Sequence, residues 1–294
     1  MQPLLFNLDS DAALATRLGN TLQAETGQLD QRRFPDGESY LRVLNACEGR
    51  DVVIFCNLNR PDEKTLRLLF LIDTLRELGA QQIGLITPYL AYMRQDKRFQ
   101  PGECVSSRPY ARLLSDALDW LITVDPHLHR YNSLDEIYSI PTHVVPAAPL
   151  IAEWIKLNVS QPLLIGPDSE SEQWVSQVAQ LANAPFQVLQ KVRHGDYDVE
   201  VTLPEVENWH SHTPVLVDDI ISSGRTMQET VTHLRNAGLQ QPYCIGVHGL
   251  FSRNAYEQLS DVAKVITTSC IPHPSNKIEI AEALAHAVKE QLLR

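Results

Sequence analysis

The chain has 294 residues, 44% hydrophobic and 21% charged, the balance of a folded globular protein rather than a disordered one. Its net charge of −11 argues against a nucleic-acid partner, which needs a basic footprint, and no apolar run approaches the ~20 residues of a membrane span. Five scattered cysteines, none spaced C-x-x-C, argue against a disulfide framework or a thiolate zinc site and fit a reducing cytoplasm.

The first residues, Met1–Asp9, have neither a basic region nor a long apolar core, so no signal peptide is expected. Phe34-Pro35-Asp36-Gly37 is a turn signal ahead of an alternating strand. Val52–Phe55 reads as a strand, Thr65–Gly79 as a helix, Ile83–Thr87 as a strand, Tyr110–Leu118 as a helix and Leu121–Val124 as a strand. Prolines 141, 146 and 149 mark the boundary, giving an N-terminal domain at 1–144 and a C-terminal domain at 145–294. The pattern then restarts: Leu163–Ile165 strand, Ser171–Ala182 helix, Phe186–Leu189 strand, Val215–Val217 strand, a helix after Thr226, strands at Cys244–Val247 and Val265–Thr267, and a last helix at Lys277–Leu292. Repeated β-α-β order implies α/β architecture: mostly parallel sheets with helices on both faces and ligands beyond the carboxyl ends of the strands.

Residues 214–226 are the most informative stretch. The apolar run Pro214–Val217 ends in two carboxylates, Asp218 and Asp219, followed after two isoleucines by Ser222-Ser223-Gly224-Arg225-Thr226. Met227, Val231, Leu234 and Ala237 then recur at helical spacing until Gly238. This reads as strand, acidic turn, anion loop, helix. Backbone N–H groups and the dipole at the helix start favour an anion, and the Ser and Thr hydroxyls add donors. A ligand with a phosphate at one end and a diol at the other suits it, as a sugar phosphate does. Taken alone, the loop is equally an ordinary βα junction.

Four further clusters stand out. Arg94, Lys97, Arg98, Arg108 and Arg112 form a basic island in an acidic chain, either a solvated face or a polyphosphate clamp. Asp125-Pro126-His127-Leu128-His129 follows a strand; His-x-His weakly suggests metal. Lys191-Val192-Arg193 reads as an exposed edge or as a cationic lid over a transferring group. In Gly166–Glu172, Ser169 and Glu172 are spaced as a capping box.

The 215–226 string resembles the phosphoribosyl pyrophosphate (PRPP) binding motif of type I phosphoribosyltransferases and PRPP synthetases. Pro88-Tyr89 through Arg94-Gln95-Asp96-Lys97, the Phe34/Asp36/Glu38 pattern, Asp125-x-His127 and Lys191-x-Arg193 are similar to PRPP synthetase segments in family order. That resemblance implies two similar phosphoribosyltransferase-type domains, with the last helix a candidate to pack back on the N-terminal one. It implies transfer of the β,γ-pyrophosphoryl group of ATP to the C1 hydroxyl of ribose 5-phosphate. Asp218 and Asp219 would take the ribose hydroxyls, and Ser222, Ser223, Gly224, Arg225 and Thr226 the 5-phosphate. Phe34, Asp36 and Glu38, the first set from a neighbouring subunit, with Arg94, Gln95, Asp96 and Lys97, would hold ATP. Lys191 and Arg193 would be catalytic, and His127 and Asp168 would lie on the Mg²⁺ side. Family members form homodimers and homohexamers. Arg225 stands where many relatives have a second Gly, and Ser169–Glu172 lack the small residues usual after Pro-Asp. A phosphoribosyltransferase that consumes PRPP would explain only 215–226, and a regulatory paralogue without activity is the other alternative.

Overall fold

A computed structural model describes residues 2–9, 12–166, 171–193, 199–202 and 206–293. The chain divides into two compact units, Met1–Val145 with Ala281–Arg294, and Pro146–Ile280.

In chain order the first unit contains β1 (Leu4–Asn7), α1 (Ala13–Leu22), β2 (Glu25–Thr26), β3 (Leu29–Arg33), β4 (Ser39–Val43), β5 (Asp51–Phe55), α2 (Thr65–Glu77), β6 (Gln82–Thr87), α3 (Ser107–Ala117), β7 (Trp120–Val124) and β8 (Thr142–Val145). The second contains α4 (Ala148–Asn158), β9 (Pro162–Gly166), α5 (Glu172–Ala182), β10 (Phe186–Val188), β11 (Gln190–Arg193), β12 (Val199–Thr202), β13 (Thr213–Ile221), α6 (Arg225–Asn236), β14 (Tyr243–Gly249), α7 (Ala255–Ser260), β15 (Lys264–Thr268) and β16 (Asn276–Ile278). Helix α8 (Ala281–Leu292) returns to the first unit and packs on α1.

The two sheets are parallel and ordered alike, β2-β1-β5-β6-β7-β8 and β10-β9-β13-β14-β15-β16. In each unit the order reverses beside the first strand, so the switch point lies between β1 and β5 and between β9 and β13. Crevices at such points hold ligands in α/β sheets. Each unit also inserts one antiparallel hairpin, β3-β4 or β11-β12, between its second and third sheet strands.

Burial explains the strands. Val52–Phe55 and Ile83 with Leu85–Ile86 are sealed between helices, as continuous apolar runs in a doubly covered sheet should be. Helix α3 turns Tyr110, Ala111 and Leu114 inward at helical spacing. Gly84 has no side chain because a Cβ there would lie 1.9 Å from the Trp120 ring.

The structure moves several boundaries. Helix α3 starts at Ser107 rather than Tyr110. Residues 276–278 are the edge strand β16, so the last helix starts at Ala281 rather than Lys277. The proline-rich stretch, expected to be only a boundary, holds strand β8 and the start of α4, with Pro149 in the first turn, where its missing N–H costs nothing. Glu172 opens α5 behind Ser171, so it sits at the first helical position and not at the third, as a capping box would need. Ser169 itself lies outside the described residues.

Candidate functional site

In the second unit, strand β13 runs from Thr213 to Ile221, so Asp218 and Asp219 lie on the strand and not in a turn after it. Asp218 pairs in register with Gly246 of β14, and Ile220 with His248. Both carboxylates are half-buried, and Asp218 Oδ1 accepts the Asp219 N–H at 2.9 Å. The apolar pattern alone ended the strand at Val217, because a polar pair normally leaves a covered sheet. Here the ladder continues past the acids and delivers them at its carboxyl end, beside the switch point.

The loop Ser222–Thr226 follows at once. Gly224 adopts φ +68°, the left-handed region that glycine enters without penalty, and caps α6, whose first residue is Arg225. Gly224 has no side chain to cap this helix end, and the only side-chain acceptor at its first N–H groups among the described residues is Ser223 Oγ, at a long 3.5 Å from the Arg225 N–H. Its first N–H groups therefore remain available to an anion. The carbonyls of Ile221 and Ser222 accept N–H groups of Leu250, Phe251 and Ser252 at 2.9–3.0 Å, which anchors the loop to the segment after β14. A Cβ on Gly246 would meet Ile221 at 2.6 Å, so β14 leaves room for the residue that enters the loop.

Lys191 and Arg193 lie on β11, paired with Val201 and Val199 of β12. The segment expected as an exposed edge or lid is thus one arm of a hairpin. Asp168 and Ser169 lie outside the described residues.

In the first unit, Phe34, Asp36 and Glu38 occupy the exposed turn between β3 and β4. Phe34 N–H donates to Glu38 O at 2.8 Å, and Asp36 Oδ1 accepts the Glu38 N–H at 3.2 Å. The Arg32 guanidinium stacks 4.6 Å from the Phe34 ring centre and 4.5 Å from that of Tyr40. One aromatic surface is therefore held in place at a polar turn.

Arg94–Lys97 sit in the loop between β6 and α3. Asp96 has a side chain with no exposed surface, and Arg130 grips both its oxygens at 3.0 and 3.1 Å. This carboxylate is committed to an internal pair, which sets it apart from its neighbours in the motif. Tyr131 OH donates to Asp96 O at 3.3 Å, so residues 130–131 and 94–97 are tied together. Glu103 Oε2 accepts the N–H groups of Phe99 and Gln100 at 2.7 and 2.9 Å, and these bonds, Gln100 first, hold its carboxyl below the usual range. Sequence reasoning missed both Arg130 and Glu103, since neither lies in a motif and their partners are defined only by the folded loop. His127 follows β7 and packs against His129 with ring centres 3.9 Å apart.

Non-glycine residues with positive φ mark the same rims. Arg60, Tyr92 and Asp125 follow β5, β6 and β7, while Phe251 and Arg253 follow β14. Such conformations cost of order 1 kcal/mol each and cluster where loops are shaped for ligands. After β5, Lys64 Nζ bonds Asp9 Oδ1 at 2.8 Å, Asn59 Oδ1 at 2.8 Å and Asn57 O at 2.5 Å, placing a cation in the corner equivalent to the start of the anion loop.

A family model described as the N-terminal domain of ribose phosphate pyrophosphokinase matches residues 4–117, and a phosphoribosyl transferase domain model matches 133–286. Ribose-phosphate pyrophosphokinase of Methanopyrus kandleri is 35% identical over 280 residues, covering 94% of this chain and 95% of the relative. That of Sulfolobus acidocaldarius is 32% identical over 281 residues, covering 92% and 95%. The crystal structure of phosphoribosylpyrophosphate synthetase from Mycobacterium smegmatis superposes with a TM-score of 0.88 at 25% identity, covering 100% of this chain and 99% of that one. Two α/β units of one topology, an anion loop on a left-handed glycine and similarity along nearly the whole chain converge: the chain belongs to the ribose-phosphate pyrophosphokinase family.

Proposed function

We propose that this chain transfers the β,γ-pyrophosphoryl group of ATP to the C1 hydroxyl of ribose 5-phosphate, giving PRPP and AMP. The C1 oxygen forms a bond to the β-phosphorus as the bond from that phosphorus to the α,β-bridging oxygen breaks, and AMP leaves with that oxygen. The observation that carries this reading is the similarity to ribose-phosphate pyrophosphokinases over 94% of the chain.

The roles divide by unit. Asp218 and Asp219 accept hydrogen bonds from the ribose hydroxyls. The Ser222–Thr226 loop and the start of α6 hold the 5-phosphate. In the first unit, Phe34 stacks on adenine while Asp36 and Glu38 accept from its amine, in the family from a neighbouring subunit. Arg94, Gln95 and Lys97 take the triphosphate, and Asp96 holds them in place through Arg130. Lys191 and Arg193 neutralise charge on the transferring group, which is where catalysis of phosphoryl-type transfer lies. Mg²⁺ supplies further charge neutralisation when bound with ATP. Carboxylates such as Asp168, Asp218 and Asp219 fit its preference for oxygen, whereas His127, a nitrogen donor, is better suited to a phosphate oxygen. A cytoplasmic homodimer or homohexamer belongs to the same proposal.

The test is purified chain with Mg²⁺, ATP and ribose 5-phosphate, followed by phosphorus NMR. AMP formed in step with PRPP, and lost in Lys191→Ala, is the expected result. ADP in place of AMP would make it a simple kinase. No turnover with any nucleotide would leave a regulatory paralogue.

A further inference from the structure

Beside the phosphate loop lies a cleft that shares Ser223 and Arg225 with that loop, while its other lining residues have no role assigned above. A surface cleft of about 570 Å³ is lined by Ser223, Arg225 and Gln228 on one wall and Arg253, Asn254 and Gln258 on the other, with Ser252 and Ala255 between. It lies on the β14 side of the loop, between the first turns of α6 and α7. The switch point, where the sugar phosphate is proposed to bind, lies on the β9 side. Arg253, Asn254 and Gln258 thus bring to the β14 side of the loop a set of donors outside the residues proposed for the sugar phosphate.

Its lining is polar, with Ala255 the one apolar residue. Arg225 and Arg253 are exposed, and among the described residues no carboxylate pairs with either guanidinium. Arg253 holds φ +54°, a left-handed conformation that an L side chain rarely adopts. Gln228 Nε2 donates to Gln258 Oε1 at 3.4 Å and links the two walls. Two unpaired guanidinium forks, hydroxyls and amides around a cleft of small-molecule size are the donor set for phosphoryl oxygens. No aromatic or broad apolar wall is present to recognise a base.

We propose that this cleft is a second anion site, taking a small phosphorylated polyanion through its phosphoryl groups alone. Its occupancy communicates with the phosphate loop through the Leu250, Phe251 and Ser252 N–H bonds to the Ile221 and Ser222 carbonyls. The coupling rests on the proposed ribose 5-phosphate site, whereas binding to the cleft does not.

The experiment is calorimetric titration of inorganic pyrophosphate into the full chain, at fixed ionic strength, with chelator present and ribose 5-phosphate saturating. The wild type binds one equivalent. Arg253→Gly, which removes the charge and suits the left-handed backbone, weakens this at least tenfold, and Arg253→Lys falls between. Ribose 5-phosphate affinity without pyrophosphate stays within twofold of wild type in Arg253→Gly, which shows the loop intact. Absence of pyrophosphate binding, or equal affinity in wild type and Arg253→Gly, overturns the site. Loss of pyrophosphate binding in Asp218→Asn but not in Arg253→Gly places the anion in the sugar-phosphate site and also overturns it. Adenosine diphosphate bound more tightly than pyrophosphate in an Arg253-dependent way overturns recognition by phosphoryl groups alone. None of these readings uses turnover, so a failure of the synthetase assay is separate from a failure here.

Discussion

Arg130→Ala removes the only cation that touches the Asp96 carboxylate among the described contacts, leaving a buried charge with no compensating partner. Breaking a buried ion pair from one side costs about 3–5 kcal/mol. The Asp96 side chain has no exposed surface but Arg130 is 35% exposed, so water can partly replace the guanidinium and the lower end, about 3 kcal/mol, applies. For a unit of this size each kcal/mol moves the melting temperature by about 2–4 °C, so a loss of roughly 6–12 °C is expected by calorimetry. The same pair ties residues 94–97 to residues 130–131, so the KM for ATP should rise by at least tenfold while the KM for ribose 5-phosphate changes little. Arg130→Lys keeps the charge but has a shorter side chain to place it where Arg130 Nη1 meets both Asp96 oxygens, and should recover part of both effects. The double variant Asp96→Asn/Arg130→Gln, which carries no buried charge, should be less destabilised than Arg130→Ala. An Arg130→Ala protein that melts within 2 °C of wild type with an unchanged KM for ATP would refute the reasoning.

Three other outcomes follow from the same geometry. Gly246→Ala drives a methyl into Ile221 and should cost about 1–3 kcal/mol, with a several-fold rise in the KM for ribose 5-phosphate because Ile221 leads into the loop; unchanged kinetics would show the loop insensitive to that contact. Glu103→Ala unties Phe99 and Gln100 and should raise the KM for ATP. Because the folded carboxyl titrates below its ordinary 4.5, its contribution is complete above that value and is lost as pH falls through the lowered one, which a pH series of melting temperatures on Glu103→Gln and wild type reads out. His273 is held neutral by burial: its ring packs on Phe251 and Tyr256, and its Nδ1 accepts the Ser275 N–H, with Glu257 the nearby charge opposing the shift. Its folded pKa lies below 6.5, so the unfolded chain takes the proton first. Stability should therefore fall as pH drops from about 6.5, and His273→Asn should flatten that slope in thermal melts.

Much of the fold was legible because buried parallel strands announce themselves as short apolar runs: 52–55, 83–87, 121–124, 163–165 and 244–247 all lie within strands of the two sheets. The first strand and helix, β1 and α1, escaped despite buried apolar faces, and several others escaped because their pattern is diluted. Strand β8 is only partly buried, α4 begins among prolines that read as a linker, and β16 is a three-residue edge strand that merges into the apolar spacing of α8. At the candidate site, the sequence placed the loop between β13 and α6 because its signal is local, within a dozen residues. It could not show that Asp218 and Asp219 stay on the strand, because that depends on pairing with β14. Nor could it show that Asp96 belongs to Arg130, because 34 residues of chain separate them and only the fold brings them together.

The two units also differ at the corner where the sugar phosphate is proposed to bind in the second. Their strand orders correspond one for one, hairpin included, and in both the chain turns left-handed after the third sheet strand, at Arg60 with φ +58° and at Gly224 with φ +68°. The loops then diverge. After Gly224 an α-helix of 12 residues begins at once, its first N–H held only by a long 3.5 Å bond to Ser223 Oγ, so the helix start still suits an anion. After Arg60, Pro61, which has no N–H, opens a three-residue turn, and Lys64 pushes its ammonium into three oxygen acceptors at the ends of β1 and β5. A corner built of oxygens around a bound cation has its donors already spent, so it is closed to phosphate from within. Among the described residues, the corresponding corner of the second unit holds no such lysine. What the first unit offers is the hairpin turn with Phe34 and the basic loop anchored by Asp96 and Arg130, the equipment for a base and a polyphosphate. The proposed division of two substrates between two copies of one topology rests on this difference: the same corner is filled by a lysine in one and turned by a glycine in the other.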